Sequence, residues 1–370
     1  LLLSAGLLLE SFRRLLGQDL GYQHGSVVAL DIESWGFDTN GEVCRMYRSL
    51  RERLAALPGV EAVGTVSSAP LTGKWTFDEK AQVLGQMVPE AERPVLAATF
   101  VAFDYFQALG IALREGRYFR DSELDDDGYG QRVIVNEAAA RVLFPGRSAI
   151  GGRFTVGSNP DRILEVVGVV KDTRDVRLEE PPVPRFYWQY AFGGAQVVVR
   201  STVPAQVILP RLREVAGQTH PRIRIQDARP MTEIVSATVA QRRFLTAMLA
   251  GYAAVALGVA LVGVFGVVAH QVADRTREFG IRMALGSTSW GMLRLVLSQS
   301  CGVVLCGLVF GSVISLATGR LLARQLYSVS PHDPALLIGA CILVLGGALV
   351  ATAVPARRAA RVDPMVALRE

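Results

Sequence analysis

Four histidines, four cysteines and three lysines in 370 residues leave little material for catalysis, metal binding or disulfide bonding. His24, His220, His270 and His332 are scattered, and no cysteine pair has metal spacing with any of them. Cys44 stands alone in the polar part of the chain, so no disulfide can form there within one molecule. Cys301, Cys306 and Cys341 lie in apolar runs, where a thiol acts as a small hydrophobe. Lys74, Lys80 and Lys171 are the only lysines among 39 basic residues, a bias of composition and not of function.

Several chemical signatures are approached and missed. Gly73-Lys74 is followed by Trp75, and Ser68 stands where a phosphate loop needs its first glycine, so both requirements fail. Glu123, Asp125, Asp127 and Gly128 imitate the opening of a calcium loop, but Ile134 stands where the closing carboxylate belongs. The plain reading is an acidic solvated turn. No nucleophile elbow and no His-Glu-x-x-His occur. These absences predict no catalytic residue, no metal and no cofactor, and make an enzyme the weakest of the available readings.

What the chain does have is hydrophobicity, unevenly spread. Half of its residues are apolar and only 20% are charged. Residues 1–243 balance 29 basic against 29 acidic side chains, whereas residues 244–370 carry ten arginines and five acids. The whole net charge of +5 therefore falls in the most apolar third. Basic flanks around apolar runs mark membrane spans, not a nucleic-acid surface.

Uncharged runs cover Phe244–Ala269, Leu295–Gly319 and Ala335–Ala356. Each exceeds the roughly 20 helical residues that cross a bilayer. The run Leu1–Leu9 is too short and lacks a signal peptide's basic start and cleavage site, so it is expected to be the remainder of a cut membrane helix. The predicted fold class is thus an α+β extracytoplasmic domain inserted between transmembrane helices, three complete and one truncated at the N-terminus. Boundaries are expected at residues 1–19 for the truncated helix and its exit, 20–235 for the domain and 236–370 for the membrane part. Within the last, spans at 244–269, 295–319 and 335–356 enclose a loop at 270–294 and leave a tail at 357–370. Eight arginines in that loop and tail place both in the cytoplasm.

The domain alternates strands and helices. Strands are predicted at Ser26–Ile32, Val63–Ser67, Val95–Val101, Arg132–Val135, Leu164–Val170, Gln196–Arg200 and Arg222–Ile225. Helices are predicted at Val43–Ala56, Phe103–Leu109, Asn136–Phe144 and Pro204–Val215, with Thr232–Arg243 running straight into the first full span. No ionisable residue interrupts the three spans, which argues against transport driven by an ion gradient. Energy for any transport must come from elsewhere.

The cytoplasmic loop is amphipathic. Val272, Thr276, Phe279 and Met283 share one helical face, while Gln271, Arg275, Glu278 and Arg282 line another. Gly286 stops the helix. The pattern alone leaves two readings open, a helix lying on lipid and a lever docking a soluble partner.

The run Arg275-Thr-Arg-Glu-Phe-Gly-Ile-Arg-Met-Ala-Leu-Gly286 resembles the cytoplasmic loop of MacB/FtsX-type ABC transporter permeases, and Pro355-Ala-Arg-Arg-Ala-Ala-Arg-Val-Asp-Pro-Met-Val-Ala-Leu-Arg369 resembles their carboxyl end. Upstream, Leu57-Pro-Gly-Val-Glu-Ala-Val-Gly64, Phe103-Asp-Tyr-Phe-Gln-Ala-Leu-Gly110, Val135-Asn-Glu-Ala-Ala-Ala-Arg-Val-Leu-Phe-Pro-Gly146 and Val166-Val-Gly-Val-Val-Lys-Asp172 are similar to the MacB-type periplasmic core domain. The resemblance implies a multi-pass protein of the bacterial inner membrane, the second module of a duplicated permease. It implies a separate ABC ATPase as partner, a dimer of permease modules, contact with lipid and an unidentified periplasmic substrate or partner. Glu278, Gly280, Ile281, Arg282, Met283, Ala284, Leu285 and Gly286 map by resemblance to the segment that couples to the ATPase. The competing expectation is a membrane-anchored sensor with no transport activity.

Overall fold

The computed structural model describes residues 2–73, 77–86, 88–124, 129–157, 159–190, 193–275, 278, 294, 298, 302, 304–314 and 334–359. Two compact units emerge, residues 19–239 and residues 1–18 with 240–370.

The first unit is built on one sheet that is open at one side and closed at the other. Strands β1 (Val27–Ser34), β2 (Val60–Val66), β10 (Gln196–Ser201) and β11 (Ile223–Pro230) join β4 (Val95–Phe103) in the antiparallel order β11-β1-β10-β2-β4. The helices α2 (Asn40–Ala55) and α5 (Ala205–Thr219) bury Met46, Leu50, Leu54, Ile208 and Leu212 against Leu30, Ile32, Val197 and Val199. Thr39 caps α2 by accepting the Glu42 N–H at 3.3 Å, satisfying a donor that the first turn leaves open.

Beyond β4 the sheet closes on itself. Strands β3 (Phe77–Val83), β7 (Arg153–Val156), β8 (Asn159–Val170), β6 (Tyr129–Asn136) and β9 (Arg185–Tyr190) return to β4 through a parallel β4–β9 pairing. The ring has two parallel joints, β6–β8 and β9–β4, and its other four are antiparallel. The short β5 (Leu113–Gly116) adds to β8 at Gly168–Val170, past the end of β7. Closure removes free strand edges, and the ring holds a second core of Leu96, Val133, Val135, Phe154, Leu164, Phe186 and Trp188. The helix α4 (Glu137–Leu143) contributes Ala139 and Leu143 to it.

β4 belongs to both parts. Its first half pairs with β3, and its last residues Val101, Ala102 and Phe103 pair with β2 on the way to the other core. Phe103 turns left-handed at φ 58 and ends the strand, so helix α3 (Tyr105–Leu109) begins at Tyr105 and not at Phe103 as the sequence pattern predicts.

The second unit contains α1 (Leu2–Leu16), α7 (Val304–Ile314), α8 (Pro334–Ala359) and most of α6 (Met231–Asp274). Leu3 and Leu7 of α1 pack on Leu336 and Leu337 of α8. Gly347 of α8 meets the Leu261 side chain of α6, the close approach that a small residue permits between helices in lipid. Among the described residues two helices, α6 and α8, are long and apolar enough to cross a membrane. Of the expected span at Leu295–Gly319, Ser298, Gly302 and Val304–Ile314 are described and helical, and the other residues lie outside the described ones. α6 continues to Asp274, five residues into the stretch read as a loop.

Candidate functional site

Of the eight residues expected to couple to an ATPase, Glu278 is described, in helical conformation and exposed. Gly280, Ile281, Arg282, Met283, Ala284, Leu285 and Gly286 lie outside the described residues. The structure resolves instead the two places where the α+β domain joins the chain on either side of it.

The first joint is a clamp at residues 19–23. The Asp19 carboxylate pairs with the Lys171 ammonium and accepts the Gly21 N–H at 2.9 Å. Those two bonds, the lysine's first, hold the carboxyl below the usual aspartate range. Arg174 donates its N–H to the Leu20 carbonyl at 3.0 Å, and Gln23 donates its N–H to the Leu109 carbonyl at 2.8 Å. The Gln23 side-chain oxygen accepts from Arg200 Nη1 at 2.7 Å. Gly21 sits at φ 81, where an added Cβ would fall 2.0 Å from the Asp172 carbonyl oxygen. Only glycine allows both the turn and the approach. Leu20 and Tyr22 are buried.

The second joint has no linker. β11 ends at Pro230 and α6 begins at Met231, which is fully buried. Ile234 and Val239 are also buried, so one side of the first turns of α6 is packed within the domain.

A buried polar network stands behind the clamp. Arg185 Nε meets Asp175 Oδ2 at 3.0 Å, and Arg185 Nη1 donates to Thr99. Thr173 donates to Asp175 Oδ2 at 2.9 Å and lies 3.0 Å from the Tyr187 hydroxyl. Asn136 Oδ1 accepts the N–H groups of Ala139 and Arg185, each at 2.9 Å, and so caps α4 while fixing the start of β9. Burial pushes the Tyr22, Tyr105 and Tyr187 hydroxyls far above their ordinary value, keeping them neutral. The arrangement pins residues 173–187 to the ring. It contains no nucleophile and base in reach of each other, and its chemistry is structural.

The near-miss motifs have structural explanations. Ser68, at the first position of the phosphate-loop near miss, has its hydroxyl 3.1 Å from that of Thr72, and Lys74 and Trp75 lie outside the described residues. Asp121 pairs with Arg51 at 2.6 Å, and Glu123 pairs with Arg117 at 2.5 Å and with Arg132. Asp125 and Asp127 lie outside the described residues. Among the described residues no group of three or more His, Cys, Asp or Glu could hold a metal. The clamp carried no signal in the sequence, because Asp19 and Lys171 are 152 positions apart.

An α+β domain whose chain continues at both ends into apolar helices has the plan of a membrane-anchored module. Residues 6–213 match the MacB-like periplasmic core domain, and residues 250–364 match the FtsX-like permease C-terminal domain. The chain belongs to the MacB/FtsX family of ABC transporter permeases, inner-membrane proteins whose core domain is periplasmic.

Among its relatives is the macrolide export ATP-binding/permease protein MacB of Marinobacter nauticus, 27% identical over 69% of this chain and 40% of its own length. The MacB of a Shewanella species is 26% identical over 90% of this chain and 50% of its own. The probable syringafactin export ATP-binding/permease protein SyfD of Pseudomonas syringae pv. tomato is 28% identical over 72% of this chain and 42% of its own. The chain spans about half the length of the curated relatives it matches. The crystal structure of the periplasmic region of MacB from Actinobacillus actinomycetemcomitans aligns with 60% of this chain and 97% of its own, at 16% identity and a TM-score of 0.39.

Proposed function

We propose that the chain is a permease module that turns ATP hydrolysis by a separate ABC ATPase into movement of its periplasmic domain. The observation that carries this reading is the unbroken helix α6, 44 residues from Met231 to Asp274. A helix of that length extends roughly 66 Å at 1.5 Å per residue. It leaves the last strand without a linker, contains the first apolar run and reaches the cytoplasmic coupling segment four residues later. A push at Glu278–Gly286 therefore has a stiff path to the domain.

In this reading Glu278, Arg282 and the apolar residues around them dock in a groove of the ATPase, the helix-in-groove mode. The chain itself contributes no catalytic residue. Two modules pair across the membrane, and 19–239 and 240–370 are the moving and the embedded parts. The relatives' names pair an ATP-binding part with a permease, which supports dependence on an ATPase, and their export functions support small-molecule efflux.

The test uses the full-length permease in nanodiscs with its ATPase. Glu278→Ala and Arg282→Ala are expected to lose stimulation of ATP hydrolysis while inserting normally. Unchanged stimulation contradicts the coupling assignment. A membrane-anchored sensor would stimulate no ATPase in any variant.

A further inference from the structure

Three buried polar atoms in the network behind the clamp have no hydrogen-bond partner among the described residues: Tyr22 Oη, Asp175 Oδ1 and Arg185 Nη2. Arg185 and Tyr22 are 4% and 6% exposed. The pattern is selective. Asp175 Oδ2 meets Arg185 Nε at 3.0 Å and accepts from the Thr173 hydroxyl at 2.9 Å, while Oδ1 of the same carboxylate is unpartnered. Arg185 Nη1 donates to Thr99, while Nη2 of the same guanidinium has no acceptor. A buried donor or acceptor left open has lost its hydration without replacement, and native interiors rarely leave one so.

The fold brings the three groups together. Arg185 and Asp175 are joined by their ion pair. Tyr22 arrives with the clamp, where the Leu20 carbonyl accepts the Arg174 N–H at 3.0 Å. Gly21 passes so near that an added Cβ would lie 3.0 Å from the Thr173 Cα, and Thr173 in turn holds Asp175. Burial first, and the Asp175 charge second, raise the Tyr22 hydroxyl above its ordinary value, so the carboxylate acts on that hydroxyl.

The chemistry of the three atoms selects the ligand. Nη2 can only donate, Oδ1 of an ionised carboxylate can only accept, and a phenol can do either. An added cation would face the guanidinium, and an added anion would face the carboxylate. What satisfies all three is small, neutral and both donor and acceptor.

We propose that one water molecule is bound inside the domain at this point, accepting from Arg185 Nη2, donating to Asp175 Oδ1 and hydrogen-bonded to the Tyr22 hydroxyl. Through it the clamp is tied to the start of β9. The molecule is fixed by its three partners and cut off from bulk solvent, so the ion pair stays a buried one. The site stands whether or not the chain couples to an ATPase.

The first test is a structure of the full-length permease at a resolution that shows ordered solvent. A single solvent peak is expected about 2.6–3.2 Å from each of the three atoms. A direct contact of Arg185 Nη2 with Asp175 Oδ1 and no peak between them overturns the proposal. The second test is Tyr22→Phe in the full-length permease, where the sign of the effect decides. A hydroxyl that holds the water is lost at the cost of a hydrogen bond, so amide exchange at Arg174 and Gln23 is expected to speed up about tenfold. Exchange in β4 is expected to stay as it was. A hydroxyl buried without a partner is instead a burden on the fold, and its removal would leave exchange at Arg174 and Gln23 equal or slower. That result overturns the proposal.

Discussion

Asp175 and Arg185 form an ion pair at 3.0 Å whose side chains are 12% and 5% exposed, and each is also held by a threonine. Two charges so far from water are stable only together. Asp175→Asn leaves the guanidinium buried with one partner fewer. The expected loss is about 3–5 kcal/mol, measured as a lower urea midpoint of residues 19–239. A loss below about 1 kcal/mol would show that water reaches the pair.

That measurement presumes that residues 19–239 fold alone, which is itself expected. The unit has two cores of its own, and a closed ring leaves few edges to protect. The fragment should melt cooperatively with mixed α and β circular dichroism. Two well-separated transitions would instead mean that β4 does not bind the open sheet to the ring.

The third prediction concerns pH. Burial of Glu123, 6% exposed at its side chain, opposes ionisation, but hydrogen bonds from Arg117, the Arg120 N–H and Arg132 outweigh it. The carboxyl is held below the ordinary glutamate value of about 4.5, so its stabilisation is complete above that pH. It is lost as pH falls through the lowered value. Glu123→Gln should cost about 1–3 kcal/mol at pH 7. The gap to the unaltered protein should close below pH 4.5, as followed by urea unfolding across pH. A gap independent of pH would assign the effect to packing.

How much of this was legible in the sequence differs between elements. All seven predicted strands coincide with observed ones, because runs such as Val95–Val101 and Leu164–Val170 combine β-branched residues with turn signals at their ends. β3 was not legible: Asp78, Glu79 and Lys80 read as a surface stretch, yet its tail buries Ala81 and Val83. β9 was hidden behind Pro181, Pro182 and Pro184. Ring closure depends on pairings such as Ala97 with Arg185, which join distant segments and leave no local pattern. The segment Glu278–Gly286 was expected to couple to an ATPase only by resemblance to a family, and all of it but Glu278 lies outside the described residues. The clamp was not readable, since Lys171 becomes its partner only after folding.

The fourth prediction tests the clamp. Gly21→Ala puts a Cβ 2.0 Å from the Asp172 carbonyl oxygen and strains a left-handed residue by about 1–2 kcal/mol. Residues 19–23 should detach locally while the domain stays folded. Faster amide hydrogen exchange at Gln23, with unchanged exchange in β4, is the expected result. Unaltered exchange at Gln23 would show that the clamp is not held by this contact.

The central claim is that α6 carries movement between the coupling segment and the periplasmic domain. Ala240→Pro breaks the helix at the division between the two units, removing a backbone hydrogen bond and adding a clash worth about 3 kcal/mol. The direct measurement is an ATP-dependent change in distance between a spin label at exposed Glu214 and one on the companion module, in nanodiscs with the ATPase. With α6 intact the distance is expected to change on ATP addition. In Ala240→Pro, hydrolysis should continue while the distance change disappears. A distance change of the same size in both proteins would contradict the account.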